Sequence, residues 1–296
     1  MGGQNAVTGR QLNPSSQWHP RTFSDLLKNV DIDTIFAIIR PASALESFTY
    51  DSRGPDGITG TRVFPPVGGV PPSNMLTLLR LDTLILTLAW DDNAYILDYL
   101  TLPALTKFAI NTLEVNTLGV IQKFAARSGF ALRDVAFLGN GSCSSIEQCL
   151  KSLHSGGAIA ATGLQSLIVR TFMFEGRLPP FVGWLGASQI QLRQLEIQLP
   201  IWPTEEQPFG FADYASFGRA MAEMIVARRG REGDLGLQLE EVRIVCRVRH
   251  NAYVPADVEA CRQTMSATLG VAMENGFRFV FTILDVRESW PMADVA

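Results

Sequence analysis

Lysine is nearly missing from this 296-residue chain. Of 25 basic residues only Lys28, Lys107, Lys123 and Lys151 are lysines, and 29 acidic residues leave a net charge of −4. With an isoelectric point near 5.5, the chain offers no broad basic surface to nucleic acid or anionic lipid. Cysteine is scarce as well. Cys143, Cys149, Cys246 and Cys261 contain no C-x-x-C pair, and no apolar stretch near Met1 reads as a signal peptide. The thiols are therefore expected to be small buried hydrophobes in a reducing compartment, which places the chain inside the cell, in cytoplasm or nucleus. No membrane span is expected. The greasiest stretch, Met75–Trp90, carries Arg80 and Asp82, which are costly in lipid.

Catalytic signatures are lacking too. Neither G-x-S-x-G nor the phosphate-binding G-x-x-x-x-G-K occurs. His19 and His250 stand apart from any nucleophile motif. Cys143, Cys149 and His154 have a C-x5-C-x4-H spacing but no fourth zinc ligand. They read as core cysteines and a surface histidine. Gly139-Asn140-Gly141-Ser142 lies where a phosphate-binding turn would sit, yet lacks the third glycine of the dinucleotide motif. It reads as a strand-to-helix turn that uses glycine for its backbone freedom. Asn140-Gly141-Ser142 is also a glycosylation sequon, a chance match without a secretory signal. No catalytic, cofactor or metal residue is assigned.

What the chain does have is a hexamer used seven times: large apolar, two variable, apolar, variable, apolar. The copies are Leu45–Tyr50, Leu81–Leu86, Leu105–Ile110, Leu132–Phe137, Leu164–Val169, Leu192–Ile197 and Leu239–Ile244, with a degraded eighth at Gly276–Phe281. Starts at 81, 105, 132, 164 and 192 are 24, 27, 32 and 28 residues apart. An L-x-x-L-x-L hexamer at a period of about 20–29 marks a leucine-rich-repeat solenoid. The expected fold is α/β: a right-handed solenoid of irregular repeats, with a parallel sheet on its concave side and helices outside.

Helices are predicted between the strands, at Phe23–Ile39, Asn93–Leu100, Val115–Arg127, Ser145–His154, Leu178–Leu185, Ala212–Arg229 and Ala256–Glu274. Ser144 and Glu147 have capping-box spacing for the fourth of these. Helix-face spacing in Val115–Arg127 turns Leu118, Ile121 and Ala125 inward and leaves Gln122 and Arg127 to water. The solenoid is expected over residues 18–287, with flexible tails at 1–17 and 288–296. Long loops are expected at about 51–74, where ten of 24 residues are Gly or Pro, and 199–211. The Asn or Cys that such repeats place eight residues after the first Leu occurs in one unit only, as Asn140. Arg228, Arg229 and Arg231 cluster near a helix end, where cations complement the dipole. Arg243, Arg247 and Arg249 lie on or after the next strand.

At Leu100–Ile110 (LTLPALTKFAI), Cys149–Leu153 (CLKSL), and Ala222–Arg229 followed by Leu239–Ile244 (AEMIVARR…LEEVRI), the chain resembles the repeat region of F-box/leucine-rich-repeat proteins of mushroom-forming fungi. The resemblance covers roughly residues 23–285. It implies the substrate-binding part of a cullin-type ubiquitin-ligase receptor, with an F-box that docks the adaptor. Residues 1–40 contain no Leu-Pro-led F-box segment, so no adaptor-binding residue is assigned. An adaptor is expected only if an F-box lies upstream. The alternative is a free-standing interaction scaffold.

In an extended hexamer positions 3 and 5 point away from the helices. That row is Ser47, Thr49, Thr83, Ile85, Lys107, Ala109, Asp134, Ala136, Ser166, Ile168, Gln194, Glu196, Glu241 and Arg243. Its amino half is small and neutral, its carboxy half charged. The expected protein-binding residues are Thr83, Ile85, Lys107, Asp134, Ser166, Ile168, Gln194, Glu196, Glu241 and Arg243, with Ile85 and Ile168 as apolar contacts.

Overall fold

Apolar residues at positions 4 and 6 share a face only if the hexamer is extended from position 3 onward. The computed structural model describes residues 22–23, 32–51, 75–88, 95–111, 113, 115–139, 142–170, 178–201, 214–229, 239–249, 256–274 and 276–286, and every hexamer is strand from its third residue onward. The strands are β1 (Thr22–Phe23), β2 (Ser47–Asp51), β3 (Leu76–Thr77), β4 (Thr83–Thr87), β5 (Leu100–Thr101), β6 (Lys107–Ile110), β7 (Asp134–Phe137), β8 (Leu164–Arg170), β9 (Leu192–Ile201), β10 (Glu241–Arg249) and β11 (Arg278–Val286). In β8 and β9 the strand opens two residues earlier, at the leucine itself. The helices are α1 (Ile32–Ile39), α2 (Val115–Ser128), α3 (Cys143–Ser155), α4 (Leu178–Ala187), α5 (Tyr214–Arg229) and α6 (Ala256–Glu274).

Among the described residues nine strands form one sheet in the order β1-β2-β4-β6-β7-β8-β9-β10-β11, and β3 pairs with β5 apart from it. All neighbours in the large sheet are parallel. Register does not slip: Ser47, Thr83, Lys107, Asp134, Ser166, Gln194, Glu241 and Arg278, the third residue of each hexamer, lie side by side across eight strands. One hydrogen-bond device repeats at each early step. The carbonyl of position 2 accepts the N–H groups of positions 2 and 3 from the next unit: Glu46 from Asp82 and Thr83 (2.9 and 3.1 Å), Asp82 from Thr106 and Lys107, Thr106 from Arg133 and Asp134, Arg133 from Gln165 and Ser166.

The back of the sheet is the core. In the seven full hexamers positions 1, 4 and 6 all have exposures of 2 % or less, from Leu45, Phe48 and Tyr50 to Leu239, Val242 and Ile244. Helix residues such as Ile121, Phe124, Leu150, Phe181, Phe217 and Met265 join them in one continuous apolar cluster. Each such burial contributes roughly 1.5–3 kcal/mol. The eighth copy has Gly276 where the others have Leu. There Phe277 is buried, while Phe279 and Phe281 are half-buried.

Several sequence expectations need correction. Thr22–Phe23 is strand, paired with Ser47 and Phe48, and the helix predicted from Phe23 is seen only as α1. Asn93–Leu100 yields a 3₁₀ turn at Tyr95–Tyr99, after which Leu100 is extended against Leu76. Ser142, not Ser144, caps α3: its hydroxyl accepts from Ser145 N–H at 3.1 Å, and Glu147 turns outward to Lys151 at 2.6 Å. β9 runs through Ile201, so residues 199–201 are strand rather than loop. The rest of that loop, residues 52–74 and both tails lie outside the described residues, as do Asn140 and Gly141.

Arg127, expected to face water, and Arg228, expected to complement a helix dipole, both act as plugs. Arg127 of α2 donates to the carbonyls of Leu97 and Leu100, the latter at 2.9 Å, closing the end of the 3₁₀ turn. Arg228 of α5 donates to Leu185 and Ile190 carbonyls and to Ser188 Oγ, closing the end of α4. Helix ends leave carbonyls without intrahelical partners, and a guanidinium fork can satisfy two at once. Gly139 marks a close approach between adjacent units. A β-carbon there would lie 1.4 Å from the Asn111 carbonyl oxygen. The Asn111 side chain in turn bridges the backbone N–H and C=O of Leu88.

Candidate recognition face

The face opposite the helices is written by alternation along strands in fixed register. Position 5 runs Thr49, Ile85, Ala109, Ala136, Ile168, Glu196, Arg243, Val280 across β2, β4, β6, β7, β8, β9, β10 and β11. Two residues further on, Thr87, Asn111, Leu138, Arg170 and Gln198 continue the same face.

Between β4 and β8 this face carries a second apolar cluster, separate from the main core. Ala109, Ala136 and Leu138 are buried, with Ile85 and Ile168 packed against them, and no helix residue takes part. The two alanines stop short of the isoleucines on either side. The result is a depression of about 230 Å³ lined by those four residues and by Thr83, Lys107, Asp134 and Ser166. Strands lie about 4.8 Å apart, so the isoleucine walls stand roughly three spacings, ~14 Å, from each other. Lys107 and Asp134 are direct cross-strand neighbours at the rim. Among the described residues neither makes an ion pair or a side-chain hydrogen bond. Burial raises the Asp134 carboxyl above its ordinary value, although Lys107 and Arg133 pull it down.

Between β8 and β11 the same face is polar and most of its charged groups pair with one another, although the Arg247 Nε is buried without a hydrogen bond among the described residues. Arg170, only 6 % exposed, donates to Gln198 Oε1 at 2.9 Å and to the Leu138 carbonyl at 3.1 Å. Gln198 donates to Glu196 at 2.5 Å. Glu196 faces Arg243 at 3.9 Å, Arg243 pairs with Glu241 at 2.9 Å, and Glu241 with Arg278 at 3.8 Å. Burial, then repulsion from Arg247, lowers the Arg170 guanidinium to about 10, while Glu196 works the other way.

The structure therefore gathers Thr83, Ile85, Lys107, Asp134, Ser166 and Ile168 around one depression. It places Gln194, Glu196, Glu241 and Arg243 in the polar half beside it. Leu138, Arg170 and Gln198 were missed because the hexamer ends at position 6; extending the alternation by two residues finds them. Cys143 and Cys149 are buried in α3, neither in a disulfide, while His154 is exposed, so the C-x5-C-x4-H spacing does not converge. Burial pushes the Cys149 thiol up to about 12, far from the thiolate that a nucleophile or ligand requires. Among the described residues no group of three or more His, Cys, Asp or Glu side chains could hold a metal ion, and no helix is long and apolar enough to cross a membrane. Comparison with protein-family models, curated proteins and solved structures finds no match to this chain.

Proposed function

We propose that the chain is a right-handed leucine-rich-repeat solenoid that works, without catalysis, as a protein-recognition module. The observation that carries this reading is the helix-free apolar cluster between β4 and β8, a patch that contributes nothing to the core behind the sheet. Within that class the favoured role is the substrate-binding repeat region of an F-box-type ubiquitin-ligase receptor, on the resemblance of Leu100–Ile110 and Ala222–Arg229. A free-standing scaffold would use the same face. The test is affinity capture with the tagged chain, wild type against Ile85→Glu/Ile168→Glu, read by mass spectrometry. The reading expects a target protein held by the wild type and lost by the variant. A cullin adaptor held by both marks the ligase receptor. Identical captures, with no protein lost, overturn recognition through this face.

A further inference from the structure

The open face divides at β8, and its two parts differ in what they leave for a partner. From β8 to β11 every charged side chain of positions 3 and 5 is matched by another from the same face. From β4 to β8 the rim charges, Lys107 and Asp134, make no ion pair among the described residues. They are not equivalent. Lys107 is exposed, and its ammonium keeps its water. Asp134 is half-buried, so folding has already removed part of the hydration of its carboxylate. An incoming cation gains most where the anion is already partly desolvated and fixed on a strand.

The dimensions restrict what can enter. Walls ~14 Å apart admit an extended segment or one helix about 10 Å across, and exclude a pair of helices. Along β7, Asp134 and Ala136 are two residues and therefore about 6.6 Å apart. We propose that this cleft receives a single segment of a protein partner carrying a large aliphatic side chain, seated on Ala109 and Ala136, with a lysine or arginine on the same side reaching Asp134. In an extended segment the two residues are i and i+2; in a helix they are i and i+3 or i+4. This rests on the reading of the open face as a protein-recognition surface and adds the chemistry of the occupant.

The probe is an array of synthetic twelve-residue peptides, each with one central Leu in a Ser/Ala background and with Lys, Glu or Ser at each flanking position. Binding to the full chain is read by fluorescence anisotropy. Lys-bearing peptides should bind at least tenfold more tightly than their Glu counterparts. Asp134→Asn should erase that preference, and Ala136→Leu, which fills the cleft, should weaken every peptide at least tenfold. Circular dichroism and Tm establish that Ala136→Leu is folded; the near-isosteric Asp134→Asn carries the test independently. An unchanged Lys preference in Asp134→Asn, equal binding of Glu peptides, or an array without binders overturns the proposal. Binding that survives Ala136→Leu but is lost in Arg243→Glu also overturns it, yet leaves the face as the recognition surface. Binding insensitive to all three variants removes both.

Discussion

The two halves of the open face share one sheet, one register and one core, yet dispose of their polar groups in opposite ways. The carboxy half, β8 to β11, links Arg170, Gln198, Glu196, Arg243, Glu241 and Arg278 into a chain of mutual contacts. The amino half, β4 to β8, holds Asp134 and Lys107 side by side at the rim of an apolar depression, with no ion pair to either among the described residues. A polar surface satisfied internally has little to gain from a partner. A partly desolvated charge beside half-buried apolar side chains has more. Charge density alone would have pointed to the carboxy half. Accounting for partners points to the amino half.

The largest expected effect removes the support common to both halves. Leu167 is fully buried behind the sheet, so Leu167→Asp should cost more than about 4 kcal/mol and abolish cooperative urea unfolding. Its neighbour Ile168 lies on the open face, and Ile168→Asp should cost under about 1 kcal/mol. Leu195→Asp should behave as Leu167→Asp does. Equal effects at 167 and 168 would mean that front and back are misassigned, and the comparison of halves would lose its basis.

Next come the helix-end plugs, one in each half of the array. Arg127→Ala removes this donor from the Leu97 and Leu100 carbonyls, and Arg228→Ala removes it from Leu185 and Ile190, with the Ser188 hydroxyl still donating to Leu185. Each should cost about 1–3 kcal/mol. Replacement by Lys should recover less than half, because an ammonium cannot reproduce the fork. Equilibrium denaturation of the four variants measures this. Full recovery by Lys would reduce both arginines to general charge effects.

Arg170→Met separates the halves directly. It strips the Leu138 carbonyl and Gln198 of a buried donor and should cost about 2–3 kcal/mol. Lys107→Met, the matching change in the amino half, should fall within about 0.5 kcal/mol. Comparable losses would show that the amino-half charges are structural after all.

Most of the fold was legible in the sequence, because leucine-type anchors recur at fixed places in Leu81–Leu86 and its copies, and a parallel sheet with zero register shift needs only that repetition. Strand ends, helix caps and plugs were not. Ser142 outcompeted Ser144 through a local hydrogen bond that spacing cannot rank, and Arg127 faces carbonyls contributed by residues 27 and 30 positions away. The site was half legible. Alternation gave its residues, but the depression comes from two alanines set between two isoleucines on four different strands. That juxtaposition exists only once register is known.

The smallest effect is the sharpest test, because stability and binding should move in opposite directions at one residue. Burial raises the Asp134 carboxyl above 3.8 in the folded chain. The native state then holds this proton more tightly than the unfolded state, so stability is greatest at low pH. It declines as pH rises from about 3.8 through the raised value and stays reduced above it. Asp134→Asn lacks the charge and should escape the decline. At pH 7 the variant should melt higher than the wild type by about a degree or two; at pH 3, where the wild-type carboxyl is protonated, the two Tm values should coincide. Lys107 and Arg133 are the charges that face this group, both favour its ionised form, and Ser166 of β8 adds none, so salt, by screening those two attractions, should widen the difference slightly. A residue that destabilises its own fold at neutral pH while carrying the preference for a basic partner is in place for recognition. A wild type more stable than Asp134→Asn at pH 7 would instead make Asp134 a structural charge, and the contrast between the two halves would vanish.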